Sequence, residues 1–193
     1  MRLSEREFRA MNSVFRRLVQ RTVEFPIFRH FDVPVRGMDV LEIGCGTGYG
    51  AQFLLGMAPK SYVGIDLMPE QIALARQRRL EAAEFHVQDA ADLGRFASAG
   101  IDTVVIFGAL HHIRAWRQVV AECARVLKIG GWLYVEEPEG AILNFWELLF
   151  RWGHPDEPLT LRELRAELAS KGFTIRRKRR SIAFGFYAAQ KTG

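Results

Sequence analysis

The chain has only two cysteines, Cys45 and Cys123, in 193 residues. They are too few and too far apart for a disulfide framework or a CxxC metal knuckle, and both read as reduced thiols. No His/Cys/Asp cluster has metal-ligand spacing, so no metal is expected. Nowhere does an apolar run approach the ~20 residues that span a bilayer. The opening Met-Arg-Leu-Ser-Glu-Arg has no apolar signal core behind it, and the expectation is a cytoplasmic protein. Internal repeats, low-complexity tracts and obvious linkers are missing as well. With 49% hydrophobic and 25% charged residues, the composition is that of a globular chain whose length suits one domain, 1–193.

Acidic residues are the minority charge, 22 against 27 basic ones, for a net charge of +5. Such a balance favours encounter with anionic partners. The excess is concentrated: residues 161–180 hold eight basic side chains and two acidic ones, including the run RRKRR. On a strand, Arg176, Lys178 and Arg180 would face one side and Arg177 with Arg179 the other, which suits a solvated sheet edge as well as a phosphate surface. Phosphate contacts alone carry no sequence information. Nucleic acid is therefore disfavoured as a partner.

From Met38 onward, short β-branched runs alternate with longer helical patterns, the signature of a parallel sheet with crossover helices. Strands are expected at residues 39–43, 62–65, 84–87, 103–107 and 132–136. Helices are expected at 48–55 and 69–79, the second with Pro69 suited to a first turn. Trp116, Val119, Val120, Cys123, Val126 and Leu127 recur at helical steps, and that helix should stop at a turn over residues 129–131. Residues 138–160 read as an inserted lid, with Thr160 and Glu163 forming a capping box for a helix over 161–170. The rest of 161–193 reads as a closing hairpin. Before the sheet, residues 1–37 form a helical cover: Phe8, Met11, Phe15, Leu18, Val19 and Thr22 line one face, and Arg6, Arg9, Arg16, Arg17 and Arg21 mostly the other. Docking on the domain is the first reading of that helix; peripheral contact with a membrane surface is the alternative.

The most informative stretch is VLEIGCGTGYG, residues 40–50. In a parallel sheet, ligands bind beyond the carboxyl ends of the strands where strand order reverses. Gly44, Gly46 and Gly48 keep side chains out of that turn, and the following helix offers unpaired N–H groups. Residues 46–51 also fit a dinucleotide pattern, but the chain leaves little room for a second substrate domain. Glu42 places a carboxylate where an ammonium or sulfonium would be favoured and a pyrophosphate repelled. Asp66 ends the second strand with two oxygens able to accept both hydroxyls of a ribose. Asp89 ends the third, able to accept from an adenine amino group. Together they describe one adenosine with a cationic amino-acid tail.

Five segments, VLEIGCGTGYG, YVGIDLMPEQIALAR, FHVQDAADL, IDTVVIFGALHHI and ARVLKIGGWLYVEEP, make residues 38–137 similar to class I S-adenosylmethionine-dependent methyltransferases. The resemblance is to the small-molecule branch that includes quinone methyltransferases. It implies an α/β, Rossmann-like, doubly wound, mostly parallel sheet of seven strands, closed by an antiparallel hairpin. It implies S-adenosylmethionine as cofactor and S-adenosylhomocysteine as product. By it, Gly44, Gly46 and Gly48 approach the methionine part, Asp66 takes the ribose hydroxyls, and Asp89 with Ala90 meets the adenine. Leu67 and Phe107 are carried as further cofactor-side positions.

A sulfonium methyl is already activated, so alignment with a nucleophile can carry most of the rate. A phenol, enol or carbon acid would also use a base. His111, followed by His112, is the nearest candidate by chain position; His154, Glu136 and Glu137 are weaker ones, and Tyr49 is expected over the cofactor. The turn after the fourth strand, GALHHI, lacks the Asn/Asp-Pro-Pro-aromatic motif used in related families on exocyclic amino groups. A small, apolar or aromatic acceptor methylated at oxygen, nitrogen or carbon is the leading expectation. Methylation of RNA or protein through the basic tail, and a non-catalytic cofactor-binding subunit, are the alternatives.

Overall fold

The computed structural model describes residues 12–139, 159–181 and 184–193. The start of the expected leading helix, most of the expected lid and His154 lie outside those residues. Seven strands make one sheet: β1 (Asp39–Ile43), β2 (Ser61–Asp66), β3 (Ala83–Val87), β4 (Ile101–Phe107), β5 (Leu127–Pro138), β6 (Phe173–Arg180) and β7 (Phe184–Lys191). Their order is β3-β2-β1-β4-β5-β7-β6. Only β7 opposes its neighbours, pairing antiparallel with both β5 and β6. Strand order therefore reverses between β1 and β4, which is where a doubly wound sheet opens a crevice at its carboxyl edge.

The helices are α1 (Val14–Val19), α2 (Phe25–His30), α3 (Tyr49–Leu55), α4 (Pro69–Gln77), α5 (Trp116–Val126) and α6 (Leu161–Ser170). A π-helical stretch, Gln20–Glu24, joins α1 to α2, and a short 3-10 turn covers Leu110–His112. Local chemistry sets several boundaries. Pro69 occupies the first turn of α4, where its missing N–H costs nothing. Thr160 and Glu163 cap α6 reciprocally: Glu163 N–H donates to the Thr160 hydroxyl and Thr160 N–H to the Glu163 carboxylate, each at 3.2 Å.

Alternation along β4 divides the core. Val104 and Ile106 join Leu41, Ile43, Val119, Leu133 and Leu164 on the α5/α6 face. Val105 and Phe107 join Phe28, Leu54, Ile72 and Tyr134 on the other. Each such side chain, fully buried, stabilises the fold by about 1.5–3 kcal/mol, so both faces hold the strand ends in place.

Three expectations are corrected. β5 begins directly after α5, and the expected 129–131 turn lies inside it as an irregularity: Leu127 pairs with Ile101, and the next pairing is Trp132 with Thr103. Gly130, at φ 81°, takes the conformation the bulging chain requires. In β6, Ile175 pairs with Ala189 and Arg177 with Ala188, which leaves Arg176 as an extra residue. That bulge breaks the simple alternation, and residues 176–180 are all exposed. In α1 the expected faces are partly exchanged: Leu18, expected on the apolar stripe, is 54% exposed, as is Val14 at 74%, whereas Arg16, expected outside, turns inward to pair with buried Glu24. A π stretch shifts the helical phase, and a buried carboxylate requires a cation. The segment is anchored by Phe25, Ile27, Phe28 and Phe31 instead, with Phe25 stacked on Phe53 at 3.9 Å between centroids.

Candidate active site

A cavity of about 620 Å³ opens where β1 and β4 diverge, within the ~300–1,000 Å³ range of small-molecule sites. Its floor is the turn after β1. Gly44 sits at φ 70°, and a Cβ there would lie 2.5 Å from the Ala109 Cβ, so the β1 and β4 turns touch only because this side chain is missing. The N–H groups of Gly44 and Cys45 both donate to the Ile65 carbonyl, at 2.8 and 3.0 Å. Asp66 then ties the turn to α4: Gly46 N–H donates to Oδ2 at 3.0 Å and Met68 N–H to Oδ1 at 2.9 Å. Burial raises the Asp66 carboxyl, and the N–H groups of Met68, Gly46 and Leu67 oppose the shift.

Beneath the turn, Glu42 is buried and accepts a hydrogen bond from the Tyr62 hydroxyl at 2.5 Å. Burial pushes the Glu42 carboxyl up to about 8, against the Tyr62 bond and with the Asp66 charge. Gly50 makes this possible, because a Cβ there would stand 2.2 Å from Glu42 Oε1. Gly50 thus lets α3 pack directly on a carboxylate. Tyr62 escaped the sequence reading; its signal was Gly64, a glycine inside a strand, where a Cβ would meet the Tyr62 hydroxyl at 2.9 Å.

The cavity gathers Glu42, Gly44, Gly46, Asp66, Leu67, Asp89, Ala90 and Phe107 in its wall, together with Tyr49. Gly48 is not among them. It caps α3 and faces Phe85 and Ala75, whose atoms would lie 3.2 and 3.3 Å from a Cβ. Asp89 also has a turn role, accepting from Ala91 N–H at 2.9 Å. Gln71, on the inward face of α4, was not singled out by sequence. It is 3% exposed, lines the cavity, and its Oε1 has no hydrogen-bond partner among the described residues.

After β4 the two histidines part. His111 is buried with Nδ1 at 2.7 Å from Glu137 Oε2 and does not line the cavity; His112 does. Glu137 also accepts from Leu110 N–H at 2.8 Å and His111 N–H at 3.2 Å, which fixes the turn. Burial pushes the Glu137 carboxyl up to about 8, against those N–H groups. Glu136 is fully buried; burial, then the Glu24 charge, raise its carboxyl well above the usual range. Burial likewise raises the thiol of Cys45, which lines the wall. Among the described residues no group of His, Cys, Asp and Glu could hold a metal ion.

Carboxylates at successive strand ends, a bare glycine turn and a reversed strand order define a Rossmann-like nucleoside-binding domain. A sequence model described as Methyltransferase domain matches residues 41–135. The phthiotriol/phenolphthiotriol dimycocerosates methyltransferase of Mycobacterium leprae is 34% identical over 139 residues, covering 70% of this chain and 51% of that protein. The ubiquinone biosynthesis O-methyltransferase of Thiobacillus denitrificans is 32% identical over 104 residues, 52% of this chain and 44% of that one. The chain thus spans about half the length of the curated relatives it matches. Among solved structures, a methyltransferase in complex with the Haloferax volcanii Trm112 activator superposes with TM-score 0.79 at 18% identity, over 92% of this chain and 93% of that chain. A SAM-dependent methyltransferase from Aquifex aeolicus gives 0.76 at 15% identity, over 99% and 100%. Residues 41–135 thus carry a methyltransferase domain, and the chain is similar in sequence and fold to S-adenosylmethionine-dependent methyltransferases.

The residues present fit that cofactor. Asp66 and the Oε1 of Gln71, which has no partner among the described residues, are acceptors in the cavity wall of the kind a hydroxyl-bearing ligand requires, and the missing side chain at Gly44 leaves the turn bare. Glu42 adds a buried carboxyl to the same wall.

Proposed function

We propose that this chain moves a methyl group to an oxygen, nitrogen or carbon atom of a small acceptor with an apolar or aromatic body. Bound S-adenosylmethionine supplies that methyl on a sulfonium. The observation carrying the reading is the cavity's extent: its wall runs from the acidic ends of β1, β2 and β3 past Phe107 and Ala109 to residues of α1, beyond the groups assigned to the cofactor. In this reading Asp66 and Asp89 orient the nucleoside, Glu42 compensates the cationic tail, and Phe107 and Tyr49 exclude water from the transfer path. His112 is the imidazole at hand to take a proton from a phenol or enol. His111, held by Glu137, orients the turn that carries it.

Residues 176–180 do not line the cavity, which supports a small molecule over RNA reached through the basic strand. The outer side of α1 supports peripheral contact with a membrane: Val14 and Leu18 stand exposed on the helix that also carries exposed Arg17, with exposed Arg21 just beyond it. Among the described residues no helix is long and apolar enough to cross a membrane.

Calorimetry with S-adenosylmethionine tests the premise. Release of S-adenosylhomocysteine in the presence of a panel of phenols, quinols and carbon acids tests catalysis. Cofactor binding with no turnover across the panel would favour a non-catalytic subunit.

A further inference from the structure

The charged groups lining the cavity are sorted by sign. Glu42, Asp66 and Asp89 sit at or just beyond the ends of β1, β2 and β3, whereas Arg16, Arg17 and Arg114 come from α1 and the segment leading into α5. Among the described residues no carboxylate lines the arginine side of the wall.

Arg16 is the most constrained of the three. Its Nη1 donates to buried Glu24, and its Nη2 lies 3.6 Å from where a Cβ on Gly108 would stand, against the turn after β4. A guanidinium has five N–H donors, and among the described residues the Arg16 side chain uses only Nη1. Arg17 and Arg114 have no carboxylate partner among the described residues. Arg17 also stands near a fourth cation: burial first, then the Arg17 charge, lower the Arg78 guanidinium, whose Nε donates to the Thr47 carbonyl. Arg16 thus has Glu24 as its counterion, and its charge also acts on the buried Glu136 and Glu137 carboxyls, so the cations left to a ligand of opposite sign are Arg17 and Arg114, with the remaining donors of Arg16 beside them.

The acidic half of the wall is matched by the cofactor, a cation at its sulfonium. The basic half is then left for the acceptor. We propose that the acceptor is an aromatic or apolar molecule carrying a carboxylate, and that Arg16 and Arg114 bind that carboxylate beside the turn after β4. This rests on the methyl-transfer reading of the cavity and adds the charge of its substrate. Fork-shaped guanidinium donors match a carboxylate in a way an ammonium does not. Glu24 holds Arg16 in position beforehand, which reduces the ordering cost of binding. An amine acceptor, protonated in solution, would meet repulsion from both the arginines and the sulfonium.

The test uses the full chain saturated with S-adenosylhomocysteine and two probes of one substitution pattern, a hydroxynaphthoate and the corresponding hydroxynaphthamide. Ring and hydroxyl are shared; only the charge differs. Calorimetry is expected to give the carboxylate at least about tenfold tighter binding than the amide. Arg114→Gln, at an exposed position, should remove most of that preference without changing affinity for S-adenosylhomocysteine. Arg16→Gln should do the same; because it strands Glu24, its melting curve is recorded alongside, and the Arg114 variant stands as the independent arm. Equal affinity for the two probes, binding of neither, or a preference that survives Arg114→Gln overturns the proposal. A chain that fails to bind S-adenosylhomocysteine at all overturns the methyl-transfer reading instead.

Discussion

The Tyr62 hydroxyl donates to the Glu42 carboxyl at 2.5 Å directly under the β1 turn, in space that Gly50 and Gly64 leave open. With its carboxyl pushed up to about 8 by burial, Glu42 is mostly neutral near neutral pH when no cation lies above it. A cationic ligand favours the ionised form. Binding of S-adenosylmethionine near neutral pH is therefore expected to release protons, read by calorimetry in buffers of different ionisation enthalpy. Glu42→Gln should abolish the release. Binding without proton release in the parent chain would show that Glu42 does not answer the ligand's charge.

Stability should fall toward alkaline pH. Glu42 and Glu137 are both raised from 4.5 to about 8 in the folded chain. For a raised carboxyl the folded state holds the extra proton, so the contribution is complete below the unfolded value and is lost as pH rises through the folded one. Between those values each group can change the unfolding free energy by up to ~1.4 kcal/mol per pH unit. Urea midpoints are expected to drop on going from roughly pH 6 to roughly pH 9. Glu137→Gln, which keeps an acceptor oxygen for one of the Leu110 and His111 N–H groups, should flatten the slope.

Gly50→Ala should be costly for a surface-sized change. Its Cβ would lie 2.2 Å from Glu42 Oε1, and overpacking of this kind destabilises by about 1–3 kcal/mol. Combining it with Glu42→Ala should recover much of the loss, because the two positions share one space. Additive losses in urea unfolding would show that the contact relaxes by other means.

Val14→Ser and Leu18→Ser test the membrane reading. Both side chains are exposed, at 74% and 54%, so melting temperature should barely move. Co-sedimentation with phosphatidylglycerol vesicles should fall in each variant, and phosphatidylcholine vesicles should bind little of either parent or variant. Unchanged sedimentation of the double variant would leave α1 as a cover only.

Much of the sheet was legible because its signals are local. β-branched runs, Pro69 and the Thr160/Glu163 box act over a few residues, and all fell on the elements they indicate. The glycine turn was legible for the same reason. Tertiary events were less so. Nothing local tells Arg16 to turn inward, since its partner Glu24 is buried only once Phe25 and Phe28 dock on the sheet. His111 and His112 are equivalent by chain position, and only Glu137 on β5 distinguishes them. Gly48 resembles Gly44 and Gly46 in the motif but spends its missing side chain on Phe85 and Ala75.

The outermost strand carries a last consequence. β6 forms one rim of the sheet, and its five successive cations at 176–180 are all exposed. A rim with unsatisfied backbone groups invites another molecule to add a strand, and that invitation ends in fibres or insoluble stacks. Two such rims approaching one another would bring five positive charges against five, so this molecule should resist polymerising edge to edge in dilute buffer and grow stickier as salt masks the repulsion.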